Sequence, residues 1–363
     1  MPPIQDGIRT PGIYTDVNIN TLRRGLIANE HKVLFISDDA EQLAAPVAIF
    51  DEADAAEKIG EASKIGKMIK AALKTNRLID AYAQTIILAG DPAAADLDAT
   101  IEQLEAFGHT IIALASAPSV GDSTEAWIDH LNFVSDSIEQ RPAILVVPFT
   151  DIEDAEAFAA QQPVETSYRV VAACYHGATG QDAAIAGAVA GIFADSNDPA
   201  LPFNGVKLQG VDAVDAQHKL TFERQERAMK NGVCMIVTGH DGKPEILRAI
   251  STYRKNPTTG LIDDLMLDIN GALTIDYFRK VVRNALGREP RRKNTAANRR
   301  NVRSIILAEA IKLDNAEILQ NVKERKDELT VNEDATDRYR VNAKIPADWV
   351  RGMHVIAATL DVY

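Results

Sequence analysis

Cys174 and His176 lie two residues apart in the stretch RVVAACYHGATG. On a strand that spacing points both side chains to one face, the arrangement a thiolate–imidazole nucleophile needs. A core thiol beside a strand-end imidazole is the commoner outcome, and the apolar run around Cys174 favours it. Directly after it, Gly177-Ala178-Thr179-Gly180 falls between a strand-like and a helix-like segment, where phosphate loops sit. It lacks the Gly-Lys-Ser/Thr of a P-loop and the third glycine of a dinucleotide fingerprint. The seven histidines (31, 109, 130, 176, 218, 240, 354) show no His-x-x-x-His spacing, and Cys174 and Cys234 form no Cys-x-x-Cys. Both thiols read as reduced core residues. No Gly-x-Ser-x-Gly elbow is present. The sequence therefore assigns no catalytic, cofactor-binding or metal-ligating residue.

What the sequence does offer is charge. The chain of 363 residues carries a net −13, yet ten Lys or Arg between positions 279 and 303 face one acid, Glu289, making that segment +9 and leaving −22 for the rest. An acidic body with one basic patch predicts a specific acidic partner rather than nucleic acid, since no stacking aromatics accompany the arginines. A solvated helix face is the plain alternative. The longest apolar run, residues 183–194 (AAIAGAVAGIFA), is too short to span a bilayer, so no membrane insertion is expected. The opening MPPIQDGIRTPGIYTDV lacks a basic segment followed by an apolar core, so it reads as no secretory signal, and folding in cytoplasm is expected.

Short apolar runs at residues 32–37, 84–89, 110–115, 143–149 and 169–174 predict strands buried on both faces. Helical patterns lie between them at 53–73 (broken near Gly60), 96–107, 123–139 and 151–161, followed by an Ala/Gly-rich helix at 182–193. Strict alternation predicts a mostly parallel α/β sheet with right-handed crossovers. A short helix is expected at 222–230. A longer one is expected from a Thr274 cap to Leu286, and another from Thr295 to Leu313.

Between these helices, residues 233–239 and 244–252 flank Asp241-Gly242, a favoured pair for a two-residue hairpin turn. That turn would place Val237 opposite Ile246 and Met235 opposite Arg248. A two-stranded ribbon is marginal alone and wants further strands at its edges. Two strand-like segments without local partners sit at the chain ends. One alternates Ile13, Thr15, Val17 and Ile19; the other carries Met353, Val355, Ile356, Leu360 and Val362.

Taken in order, PGIYTDVNINTLRRGLIANEHKVLFI, DEADAAEKIGEASKIGKMIKAALKTN, NGVCMIVTGHDGKPEILRAISTY, LIDDLMLDINGALTIDYFRKVVRNALG and DRYRVNAKIPADWVRGMHVIAATLDVY resemble the contractile tail sheath proteins of Mu-like bacteriophages and R-type pyocin-like particles. The likeness spans essentially the whole chain. It implies an N-terminal donated arm (1–24), an outer α/β domain (25–214), an inner tube-facing α+β domain (215–345) and a C-terminal donated arm (346–363). Neighbouring subunits would then add their arms to the hairpin around Met235, Val237, Asp241, Gly242, Ile246 and Arg248. Arg279, Lys280, Arg283, Arg291, Arg292, Lys293, Arg299, Arg300 and Arg303 become candidates for contact with an acidic tail tube. The resemblance further implies stacked hexameric rings, baseplate and tail-terminator partners, a virion tail assembled in the host cytoplasm, and contraction that drives genome ejection. The sheath of a tailocin or other injection machine, and a nucleotide-binding α/β enzyme, are the competing expectations.

Overall fold

The computed structural model describes residues 26–39, 43–60, 62–89, 94–118 and 122–362; the N-terminal strand of Ile13, Thr15, Val17 and Ile19 lies outside them. In chain order the described elements are β1 (Lys32–Ser37), β2 (Val47–Ile49), α1 (Glu52–Ile59), α2 (Lys64–Thr75), β3 (Asp80–Thr85), β4 (Ile87–Ala89), β5 (Ala94–Asp96) and α3 (Leu97–Glu105). Next come β6 (Ile111–Leu114), α4 (Asp122–Ser135), β7 (Ile144–Phe149), α5 (Ile152–Ala159), β8 (Val170–Cys174), α6 (Asp182–Ala194) and α7 (Phe222–Lys230). The chain closes with β9 (Val233–Thr238), β10 (Pro244–Ile246), α8 (Ile269–Gly287), α9 (Ala296–Asn315), β11 (Thr330–Glu333) and β12 (Val341–Lys344).

Eight strands form one sheet in the order β10-β9-β8-β7-β6-β1-β3-β2. The six central strands run parallel, and only the short outer strands β10 and β2 are antiparallel. Alternation within each strand sorts the core. Val33 and Phe35 face Ile65, Met68 and Val189 on one side, while Leu34 and Ile36 face Leu104, Trp127 and Leu131 on the other. The Ala/Gly composition of α6 serves a close approach to α2: a Cβ on Gly187 would stand 2.0 Å from the Met68 carbonyl oxygen. A third cluster, with Tyr277, Phe278, Val281, Leu313 and Trp349, packs α8 against α9.

Several expectations are corrected. The second parallel strand is β3, ending at Thr85, where the sequence pattern favoured residues 84–89. Polar Asp80 and Gln84 obscured it, although Gln84 is buried and donates to the carbonyls of Leu43 and Thr85. Thr274 does not cap α8; it is buried within a helix that begins at Ile269. The hairpin loop is longer by one residue. Gly239 N donates to Lys243 O and Gly242 N to Gly239 O, with Gly242 at φ 78°. That is a three-residue loop closed by a left-handed glycine. The register therefore places Val237 opposite Glu245 and Ile236 opposite Ile246.

One core feature ties folding to acidity. His109, just before β6, and His130, on α4, stack with ring centroids 5.2 Å apart and Nε2 atoms 3.2 Å apart. Burial, then the neighbouring His130 and Arg141 charges, lowers His109 to about 3. Burial and Arg141 lower His130 to about 4. The unfolded imidazoles take up protons near their ordinary value of about 6.5. Stability is thus full above that pH and falls as pH drops toward the folded values. At ~1.4 kcal/mol per unit per histidine, His109→Leu/His130→Phe should flatten the decline between pH 6.5 and 4.5 by a few kcal/mol. Urea denaturation at a series of pH values measures this, and an unchanged slope would remove the pair as its source.

Candidate assembly interface

α8 connects the sheet to everything that follows it. Arg169, immediately before β8, makes a two-pronged contact with Asp276: Nη1 to Oδ2 at 2.6 Å and Nη2 to Oδ1 at 3.0 Å. Their side chains are 5% and 14% exposed. Burial opposes the Arg169 charge, but hydrogen bonding to Asp276 and its charge outweigh that and raise the guanidinium pKa. One turn on, Arg279 donates to the carbonyls of Ser135 and Asp136 at 3.0 and 2.9 Å. These carbonyls lie at the C-terminal end of α4, where a cation meets the negative end of the helix dipole. Arg283 donates to the Gln140 carbonyl at 2.7 Å and Lys280 to that of Ala28 at 3.0 Å. Asn270 anchors the helix start by donating to the carbonyls of Pro199 and Leu201.

Arg279, Lys280 and Arg283, proposed from the sequence as tube-facing, are therefore engaged within the chain. Arg292 is also turned inward, donating to Leu286 O. On α9, Arg299 reaches Glu333 at 3.1 Å and Arg303 donates to the carbonyls of Leu329 and Lys326, so both fasten β11 to the helix. Arg291, Lys293 and Arg300 are exposed and form no ion pair among the described residues. They cluster at the α8–α9 connection and the start of α9, where the first turn has no acid.

The hairpin expected to accept strands is not available. β9 pairs along its other edge with β8, placing Met235 opposite Cys174. The outer edge of β10 is taken by the preceding connection, through Gly205 N to Ile246 O, Ile246 N to Val206 O and Leu208 N to Pro244 O. Asp241 pairs with Lys207, and Arg248 holds Asp268 through two bonds. The sequence signal was a true hairpin inside the main sheet. The ribbon that stands apart is β11–β12, whose antiparallel register runs from Thr330 opposite Lys344 to Glu333 opposite Val341. Among the described residues no strand pairs with either outer edge. Sequence reasoning missed it as a ribbon because both strands are short and polar; the alternation in RYRVNA was its one faint trace.

The C-terminal segment does not leave the body at residue 346. Trp349 is buried against Gly271, forms a bridge with Leu319, and Val350 N donates to Ile318 O. Met353 and Val355 are 79% and 82% exposed, and Ile356, Leu360 and Val362 are exposed as well. None of these five lies in a strand of this single chain.

A cavity of about 330 Å³ opens between residues 29–31, the starts of β6 and β7, and α8. It lies at the N-terminal ends of the strands, opposite the carboxyl ends where open α/β sheets bind ligands. Cys174 is buried, its thiol donates to the Asp151 carbonyl, and burial, reinforced by the Asp151 charge, pushes its pKa up. That direction opposes thiolate formation.

Residues 251–363 match the phage tail sheath C-terminal domain family. Over nearly its full length the chain also superposes on solved sheath structures. The sheath tail protein from Desulfitobacterium hafniense aligns with a TM-score of 0.64 at 13% identity, covering 94% of this chain and 97% of that one. The fold is that of the tail sheath proteins. The helical sheath of the anti-feeding prophage in its contracted state gives 0.63 at 17% identity over 98% and 99%. The PVC sheath complex of an extracellular contractile injection system, also contracted, gives 0.65 at 14% over 98% of each chain. No curated protein matches the sequence. Within this sheath fold, the doubly wound sheet is the body, and α8, α9 and β11–β12 form the part matched by the family.

Removing one partner of a buried ion pair leaves the other uncompensated at a cost of about 3–5 kcal/mol. Arg169→Met should therefore lower the unfolding free energy by that amount in urea titrations, and a change below 1 kcal/mol would deny the seam its role.

Proposed function

We propose that this protein is a sheath subunit of a contractile tail or injection particle. It polymerises as stacked hexameric rings around a tube and contracts to drive that tube through a target envelope. The observation that carries this reading is a pair of unmet needs in one folded chain. β11–β12 offers two strand edges unpaired among the described residues, while the C-terminal tail exposes five large apolar side chains, Met353 and Val355 on one face of an extended chain and Ile356, Leu360 and Val362 on the other. A tail donated to a neighbour's β11–β12 ribbon satisfies both by β-augmentation, with backbone bonds giving affinity and side-chain alternation giving register. The N-terminal strand of Ile13, Thr15, Val17 and Ile19 is the natural candidate for the other edge. The acceptor is thereby moved from the hairpin at Asp241-Gly242 to β11–β12.

Of the candidate tube-facing residues, Arg291, Lys293 and Arg300 are exposed without an ion pair among the described residues and so able to meet an acidic tube. A polar, salt-screened contact suits a surface that must let go during contraction. In a phage the particle would carry baseplate and terminator proteins, assemble in the host cytoplasm and eject a genome. In an injection particle the same subunit would deliver a protein cargo. A cargo copurifying with the particle distinguishes the two.

Negative-stain electron microscopy of the purified chain at high concentration should show rings or hollow tubes, and deletion of residues 355–363 should abolish them. Tubes of normal length from the truncated chain would exclude donation of the tail. Arg291→Glu/Lys293→Glu/Arg300→Glu should change monomer stability by less than about 0.5 kcal/mol, as exposed sites do. The same triple variant should fail to assemble on the tube at physiological salt; normal assembly would exclude the contact.

A further inference from the structure

The tail does not become free where the last secondary structure ends, nor at Trp349. After Trp349 there is one more fixed point, His354. Its Nδ1 lies 2.8 Å from Asn204 Nδ2 and its Nε2 lies 3.3 Å from Asp268 Oδ2. Asn204 thus sits at hydrogen-bond distance from Nδ1, and Nε2 lies buried beside the carboxylate without a hydrogen bond among the described residues. The His354 side chain is 12% exposed between neighbours that are almost fully exposed. Asp268 is itself held in place by Arg248, through Nε at 2.8 Å and Nη2 at 3.0 Å. The backbone reaches this seat by passing against Pro202 at Gly352, where an added Cβ would stand 2.5 Å from the proline ring. A single imidazole on an otherwise exposed tail thus enters a prepared polar seat made by three other parts of the chain.

We propose that His354 is a latch: a positioning residue that fixes the root of the C-terminal tail to its own subunit and sets the length of tail free to reach another. This rests on the reading of the tail as a donated strand. While latched, residues 355–362 span at most about 27 Å fully extended, and release back to Val350 adds four residues, or about 14 Å. The latch is made of two side-chain contacts, whereas an added strand is held by a row of backbone bonds. Tension along the tail therefore opens the latch before it strips the strand. Subunits that separate during contraction gain slack from their own tails without losing their partners.

Arg351 lies between the two fixed points, so trypsin cleavage after Arg351 in the monomeric chain reports the latch. Cleavage after Arg340, in the exposed turn before β12, is the internal reference. His354→Leu should raise the Arg351/Arg340 cleavage ratio at least five-fold, and His354→Gln, which can accept from Asn204 and donate to Asp268, should restore it. An unchanged ratio in His354→Leu, or no rescue by His354→Gln, overturns the latch. Donation is read separately, by electron microscopy of the chain lacking residues 355–363. If that chain assembles normally while His354→Leu loosens the root, the donated-strand reading fails and the latch stands as an intrachain clamp without a tether role.

Discussion

The Arg169–Asp276 pair is the contact on which the arrangement of the molecule turns. It joins the start of β8, an interior strand of the sheet, to the middle of α8, in a place with little water to screen it. Buried ion pairs are often poor stabilisers, but they are exacting about geometry. Here that exactness fixes the angle of a helix that holds both ends of the described chain. Tyr277 donates to Ile27 O and Lys280 to Ala28 O near the beginning. Gly271 receives Trp349 near the end, and Asp268, at the head of the same helix, receives His354. The sheet, α8 and the segments at both ends of the described chain are therefore joined into one body.

The body was legible in the sequence where burial was two-sided. Continuous apolar runs at β1, β6, β7 and β8 left no other reading, and α7 and α9 were found near their observed bounds, each opened by a threonine cap, Thr221 and Thr295. Legibility failed where polar residues are buried. Gln84 inside β3 donates to the carbonyls of Leu43 and Thr85, contacts that periodicity cannot register, and Thr274 is buried inside α8 with no hydrogen-bond partner for its hydroxyl among the described residues. The hairpin was found, but its register slipped by one because Asp-Gly serves equally well as a two-residue turn or as the end of a three-residue loop. That single residue decides which side chain of β9 faces Glu245.

The basic segment shows why charge counts alone mislead. Ten cations in one stretch read as a single patch, but the fold divides them by task. Some close the carbonyl end of α4, some attach β11 to α9, and Arg288, Arg291, Lys293 and Arg300 are exposed with no ion pair among the described residues. The sequence could not separate them, because the acceptors of Arg279, Lys280 and Arg283 are backbone carbonyls more than a hundred positions away, and those of Arg299 and Arg303 lie in and just before β11.

The open edges of β11–β12 also bear on how force would pass between subunits. A strand laid along either edge runs beside its partner, so a pull along its axis loads all the bonds of that edge in shear. A pull across the ribbon would instead open them one at a time, as a zip opens. The same few backbone bonds thus make a strong tether in one direction and a weak one in the other. The orientation of this small exposed ribbon relative to a particle's axis would then decide whether the mesh stretches intact or peels.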